Sequence, residues 1–157
     1  MIGHNGDALL QAGEYRLIVV SGPQGCGKST LVRRSVQGRH RTLWLEPSDY
    51  AKPYFNPPAG PVPAVVVLDE PKGQHDQAVI RQVLSWCVQN ATPAILVISN
   101  SRDWDRFKLS HLSVFADIRL WGTPGKDQTI GLVHKGELVP LYIEEANPRS
   151  RANADQC

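Results

Sequence analysis

Cysteine, long apolar runs and excess charge are all scarce in this 157-residue sequence. The three cysteines, Cys26, Cys87 and Cys157, are scattered and form no C-x-x-C pair. This argues against a disulfide framework and a zinc site, and it favours a reducing compartment. No apolar run reaches the length of a membrane span, and the N-terminus has no signal-peptide pattern. We therefore expect a cytoplasmic protein with no membrane span.

The charges nearly balance, since 17 basic and 15 acidic residues leave a net charge of +2. That charge is too small for a field over the whole molecule that attracts nucleic acid, although a local basic patch could still bind it. The length suits one domain with its own core. We place this domain at residues 1–146, followed by a disordered polar tail at residues 147–157.

Residues 22–29 form a complete phosphate-binding motif, the P-loop. They read G-P-Q-G-C-G-K-S and match G-x-x-x-x-G-K-[ST] at every fixed position. An apolar, β-branched run at 15–20 precedes the motif and a run that can be helical follows it. The alternative is a chance glycine-rich turn. We expect the nucleotide to contact Gly22, Pro23, Gln24, Gly25, Cys26, Gly27, Lys28, Ser29 and Thr30.

The residue types of the motif explain its chemistry. Its glycines let the backbone curl so that successive N–H groups converge on one anion, and the positive end of the following helix adds to the attraction. Lys28 supplies a cation for the β- and γ-phosphates, and the hydroxyl of Ser29 is a ligand for Mg²⁺.

A pair of carboxylates, Asp69 and Glu70, follows the apolar run at residues 64–68. Ligands bind at the carboxyl ends of the strands in open parallel sheets, so both side chains should face the nucleotide. We expect Asp69 to hold Mg²⁺, directly or through water, and Glu70 to activate the attacking water. The alternative is that the pair merely begins a turn.

Asn100 ends a further apolar strand at residues 94–100, whose end we expect to lie beside the Asp69 strand. Its amide could sense the γ-phosphate and the attacking water. The alternative is an ordinary turn asparagine. Arg102, Arg106 and Arg119 are candidates for an arginine that completes a neighbouring subunit's site, and Arg106 is our choice. The alternative for these arginines is a polar surface segment with weak local ion pairs.

The other segments predict an α/β fold with three layers, a mainly parallel five-stranded sheet and a C-terminal β-hairpin around Lys135 and Gly136. Residues 42–45 and 114–121 read as strands, and residues 76–90 read as an amphipathic helix. Its buried stripe comprises Ile80, Val83, Leu84, Cys87 and Val88. Residues 46–63 contain six prolines and predict an irregular surface segment. Its aromatics either bind a partner or cover the edge of the sheet.

A basic group follows the first helix and comprises Arg33, Arg34, Arg39, His40 and Arg41. It could touch nucleic-acid phosphates or a neighbouring subunit, or it could be a solvated helix end.

Three of these stretches resemble the elements of a known family. Gly22–Ser29, Val65–Glu70 and Ile95–Asn100 are similar to the Walker A, Walker B and sensor elements of the additional-strand P-loop ATPases. Viral superfamily 3 helicases and related AAA+ ATPases are most similar, and packaging ATPases of the FtsK/HerA type are the nearby alternative. Residues 2–6 also resemble the start of some phage proteins, in which case the location would be the host cytoplasm.

The resemblance implies a Mg²⁺-dependent ATPase in which Lys28, Ser29, Asp69, Glu70 and Asn100 bind and hydrolyse ATP. It also implies a homo-oligomeric ring, commonly a hexamer, and a strand order with the Asp69 strand beside the P-loop strand. We expect a motor on DNA, either a helicase or a translocase. The alternatives are a small nucleoside or nucleotide phosphotransferase and a nucleotide-dependent regulatory switch.

Overall fold

The computed structural model describes residues 15–37, 41–52, 54–71, 76–99 and 113–144. The predicted tail and the candidates Asn100, Arg102 and Arg106 lie outside these residues. Within them the strands are β1 (Leu17–Ser21), β2 (Thr42–Leu45), β3 (Val65–Asp69), β4 (Ala94–Ile98), β5 (Ala116–Trp121), β6 (Thr129–His134) and β7 (Glu137–Ile143), and the helices are α1 (Lys28–Val36), α2 (Pro47–Tyr50) and α3 (Asp76–Gln89).

All seven strands belong to one sheet, in the order β2-β3-β4-β1-β5-β6-β7. The first five strands in the chain run parallel to one another, and β6 and β7 add to the β5 edge in antiparallel fashion. The fold is therefore α/β, with seven strands in the sheet where we expected five. The hairpin extends the sheet because Ile130 on β6 pairs with Leu120 and is buried with it in the core.

The strand beside β1 is not the one that we expected. β4 lies between β1 and β3, pairing Leu96 with Val19 on one side and Ile95 with Val67 on the other. The prediction that β3 lies next to β1 is therefore wrong, whereas the prediction that β4 ends beside β3 is confirmed. β3 and β4 both have the sequence pattern of a buried apolar strand, so the sequence does not show which of them lies next to β1. Strand pairing decides this.

The sheet packs a helix on each face because its strand residues alternate between faces. Val66 and Leu68 of β3 lie in the cluster that contains α3, and Val65 and Val67 lie in the cluster that contains α1. Each fully buried valine or leucine side chain stabilises the fold by roughly 1.5–3 kcal/mol. The two apolar layers thus hold α1 and α3 against opposite faces of β3.

The buried stripe of α3 differs from the predicted one only at its two ends. Ile80, Val83, Leu84 and Cys87 are buried as predicted. Val88 is 52% exposed, and Val79 takes part in the core in its place. The stripe falls here because Val79, Val83 and Cys87 follow one another at four-residue spacing on the face toward the sheet.

The proline-rich segment is more ordered at its start than we expected. Glu46 and Asp49 form a capping box for α2, and Tyr50 is fully buried with its hydroxyl donating to the Leu45 carbonyl at 3.0 Å. Phe55 packs edge-on against Trp86 with ring centroids 5.8 Å apart. In the described part of the segment, these aromatics cover the sheet next to β2.

The turn between β6 and β7 matches the predicted hairpin. Lys135 and Gly136 have φ angles of 52° and 79°, as the two central residues of a type I′ turn require. Within the described ranges, no helix combines the length and apolar character needed to cross a membrane.

Candidate functional site

The glycine-rich loop, residues 22–29, leaves β1 at the carboxyl edge of the parallel strands. Backbone hydrogen bonds join the chain there to its neighbours. Gly22 N donates to Ile98 O at 3.3 Å, and Glu70 N donates to Val97 O at 2.9 Å. The residues that follow β1 and β3 are therefore both attached to β4, which brings the glycine-rich loop and the acidic pair to one edge.

Two glycines give the loop its curl. Gly25 and Gly27 have φ angles of 80° and 90°, in the left-handed region that favours glycine. Gly27 is also the N-cap of α1, and glycine offers no side chain to cap the amides of the first turn. Those amides and the helix dipole together favour an anion at this point.

Lys28 lies inside the loop, with only 3% of its side chain exposed. Its ammonium donates to the carbonyl oxygens of Gly22 at 2.6 Å and Pro23 at 3.2 Å, and it forms an ion pair with Glu70 Oε1 at 3.1 Å. An ammonium has three donors, and three acceptors surround this one. A phosphate oxygen that binds Lys28 must therefore compete with Glu70 or with a loop carbonyl.

Glu70 has the strained backbone of the site. Its φ angle is 45°, which costs a non-glycine residue roughly 1 kcal/mol or more. Its second carboxylate oxygen accepts a long hydrogen bond from Gln24 Nε2 at 3.4 Å. Glu70 is thus aimed at the glycine-rich loop by its backbone and contacts two loop side chains.

Asp69 contacts the start of α1. The alternation of β3 puts Val65, Val67 and Asp69 on the α1 face, and Ser29 Oγ in the first turn of α1 donates to Asp69 Oδ1 at 2.9 Å. The other carboxylate oxygen accepts from the indole of Trp44 at 3.3 Å. Each oxygen of Asp69 therefore has its own donor.

The connection between β5 and β6, residues 122–128, contacts the outer side of the loop. Gln128 Nε2 donates to the Cys26 carbonyl at 2.8 Å. A Cβ atom on Gly27 would lie 2.7 Å from Gln128 Nε2 and 2.9 Å from Pro124 Cγ. This close fit holds the glycine-rich loop against a segment that lies about a hundred residues later in the chain.

Burial governs the titration of the two described thiols. It raises the pKa of Cys26, although the Lys28 ammonium acts in the opposite direction. It raises the pKa of Cys87 to about 12 and, together with the nearby Cys87, raises the pKa of Tyr15. Both cysteines are therefore neutral core groups at neutral pH.

The other predicted residues are exposed or contact groups outside the glycine-rich loop. Thr30 is exposed in the first turn of α1. Arg119 aligns with Ser21, but it is 44% exposed and pairs with Asp117 at 3.2 Å. In the basic group, Arg33 stacks over Trp44 with its guanidinium carbon 5.0 Å from the ring centroid, and Arg41 donates to the Val62 carbonyl.

The donor set fits Mg²⁺. Ser29 Oγ and Asp69 Oδ1 are 2.9 Å apart, about the separation of adjacent oxygens in an octahedral shell with bonds of roughly 2.0–2.1 Å. No cluster of three or more His, Cys, Asp or Glu occurs in the described part of the chain. Phosphate oxygens and water would therefore supply the other ligands, as is usual for Mg²⁺.

Sequence reasoning missed Trp44 and Gln128. Neither belongs to a motif, and each reaches the site only through strand pairing or a long-range contact. Neither had a signal in the sequence, because the register that aligns Trp44 with Val67 and the contact of Gln128 with Cys26 both join segments far apart in the chain. No protein-family model matches the chain, and no curated protein matches it by sequence.

Proposed function

We propose that this chain is a Mg²⁺-dependent ATPase of the additional-strand P-loop class. The observation that carries the proposal is the pair of contacts joining the glycine-rich loop to the end of β3, Lys28 with Glu70 and Ser29 with Asp69.

The loop residues bind and orient the triphosphate. The curled backbone and the first turn of α1 present amides to the phosphates, while Lys28 exchanges Glu70 for a phosphate oxygen. Ser29 and Asp69 would hold Mg²⁺, which would supply positive charge to the phosphates. Because Lys28 makes this exchange when the nucleotide binds, its ammonium is oriented before the reaction and little reorganisation is needed in the transition state.

Glu70 is the group that directs water. When the Lys28 ammonium turns to phosphate, the Glu70 carboxylate accepts a proton from a water in line with the γ-phosphate. Asn100 is our proposal for the residue that senses that phosphate. A water-activating carboxylate favours hydrolysis over transfer to another acceptor.

We further propose that the ATPase works as a homo-oligomeric ring on DNA, with an arginine, Arg106 in our assignment, completing the neighbouring site. This rests on the resemblance to helicases and packaging ATPases.

The test is release of inorganic phosphate from ATP with Mg²⁺. Lys28→Ala should lower the rate at least about 100-fold, the usual effect of removing a preorganised donor to developing charge. Lys52→Ala removes an exposed lysine outside the site and should leave the rate unchanged. No phosphate release by the wild-type chain, or release that Lys28→Ala leaves intact, contradicts the proposal. Label appearing on a nucleoside or nucleotide acceptor would instead favour a phosphotransferase.

A further inference from the structure

We propose that Trp44 is a positioning residue that orients Asp69 for Mg²⁺, an inference that rests on the proposed function. Its indole N–H donates to Asp69 Oδ2 at 3.3 Å, while Oδ1 faces Ser29. The indole N–H thus donates to the carboxylate oxygen that is not bonded to Ser29. This leaves Oδ1 to share a metal ion with the Ser29 hydroxyl.

Strand pairing places the indole where it can do this. Trp44 on β2 aligns with Val67 on the parallel strand β3, and Asp69 is two residues further along the same face. A long side chain can reach such a diagonal neighbour across adjacent strands. The contact is therefore a product of the sheet register.

The indole is itself held by α1, the helix on the same face of the sheet. The Arg33 guanidinium of α1 stacks on its ring at 5.0 Å, a cation–π contact. Arg33 lies one turn after Ser29 on the same helix, so α1 supplies both the hydroxyl at one Asp69 oxygen and the support for the donor at the other. Partners that orient metal ligands typically change metal affinity by about 10- to 100-fold when they are removed.

A purely structural role for Trp44 makes a different prediction. Phenylalanine keeps the apolar ring, and with it much of the packing on β2, but it has no N–H to donate. If packing were the only role, Trp44→Phe would not alter the dependence on Mg²⁺. If Trp44 orients Asp69, the substitution weakens Mg²⁺ binding and leaves the phosphate contacts of the loop intact.

The experiment measures binding of a fluorescent non-hydrolysable ATP analogue during a Mg²⁺ titration. Trp44→Phe should bind the analogue without Mg²⁺ as the wild type does and should need about 10-fold more Mg²⁺ for the half-maximal increase in affinity. The matched control is Trp86→Phe, the same change next to Phe55, which should leave the midpoint unchanged. In the Asp69→Asn background, Trp44→Phe should cause no further shift.

The outcomes separate the two proposals. An unchanged Mg²⁺ midpoint in Trp44→Phe, or weaker binding already without Mg²⁺, overturns the role of Trp44 while the proposed function stands. Failure of the wild-type chain to bind the analogue overturns both. A second measurement needs no substitution of Trp44: its indole ¹⁵N–¹H resonance should move when Mg²⁺ is added to the analogue complex, and a stationary resonance contradicts the inference.

Discussion

At the scale of single residues, the ion pair between Lys28 and Glu70 is the contact that our proposal expects a nucleotide to replace. Lys28 Nζ and Glu70 Oε1 are 3.1 Å apart, and the lysine side chain is almost fully buried. The low local dielectric strengthens such a pair, and breaking it without a substitute is costly. In the proposed ATPase a γ-phosphate is that substitute, so nucleotide binding would be coupled to the release of Glu70 from Lys28.

Glu70→Gln tests this coupling. The amide keeps the size of the side chain, but it cannot accept a proton from water and holds no charge against phosphate. We expect ATP to bind at least as tightly as in the wild type, with phosphate release lowered about 100-fold or more. Binding of the analogue and single-turnover phosphate release measure the two effects separately.

Asp117→Asn is the control for this change, because it neutralises a carboxylate that pairs with Arg119 on β5. Wild-type turnover in Glu70→Gln would show that another group activates the water.

Residue types and their spacing predicted the side chains of the candidate site but not the residues that support them. Lys28, Ser29, Asp69 and Glu70 were identifiable because each chemical role admits few residue types at that spacing. Trp44 was not, since its role depends on the partner that strand pairing brings to it.

At the scale of elements, the connection between β5 and β6 supports the glycine-rich loop. The bond from Gln128 to the Cys26 carbonyl fixes one side of the peptide between Cys26 and Gly27. In a trans peptide the N–H points opposite to the carbonyl. The Gly27 amide is therefore turned away from this connection.

Gln128→Ala should loosen the loop. Losing one hydrogen bond typically costs about 0.5–1.5 kcal/mol, and we expect analogue affinity to fall roughly 2- to 10-fold. The loss should be the same with and without Mg²⁺, unlike that of Trp44→Phe. Gln82→Ala, which removes the acceptor for the Phe55 amide, is the matched control. An effect of Gln128→Ala that appears only with Mg²⁺ would contradict this account.

Element boundaries were predictable where periodicity and turn chemistry agree. The α3 helix, β4 and the turn at Lys135 and Gly136 lie where the sequence predicts them. The exposure of Val88 and the burial of Tyr50 were not predictable, because helix rotation and the path of a proline-rich segment depend on what packs beside them.

At the scale of the whole molecule, one edge of the sheet is a strand with exposed apolar side chains. β7 is the outermost strand next to β6, and Leu138, Val139, Tyr142 and Ile143 on it are exposed. Edge strands offer unpaired backbone groups to another chain. Pro140, which lacks an N–H, interrupts that row of donors.

The proposed ring predicts that the mass of the protein in solution increases when its ligands bind. Light scattering should give a multiple of the monomer mass once the ATP analogue and DNA are present, and DNA should increase phosphate release. A monomer under every condition, with turnover that DNA does not change, would contradict the motor. A nucleotide-dependent interaction with another protein would then favour the regulatory switch.

The sequence by itself determined the α/β class, the glycine-rich loop and the acidic pair, because alternation, periodicity and motif spacing are local properties of the chain. The tertiary structure decided that β4 lies between β1 and β3, that β6 and β7 extend the sheet, and that Trp44 and Gln128 reach the site. These features depend on which strands pair and in what register. That choice is made by packing between segments far apart in the chain, and no local pattern encodes it.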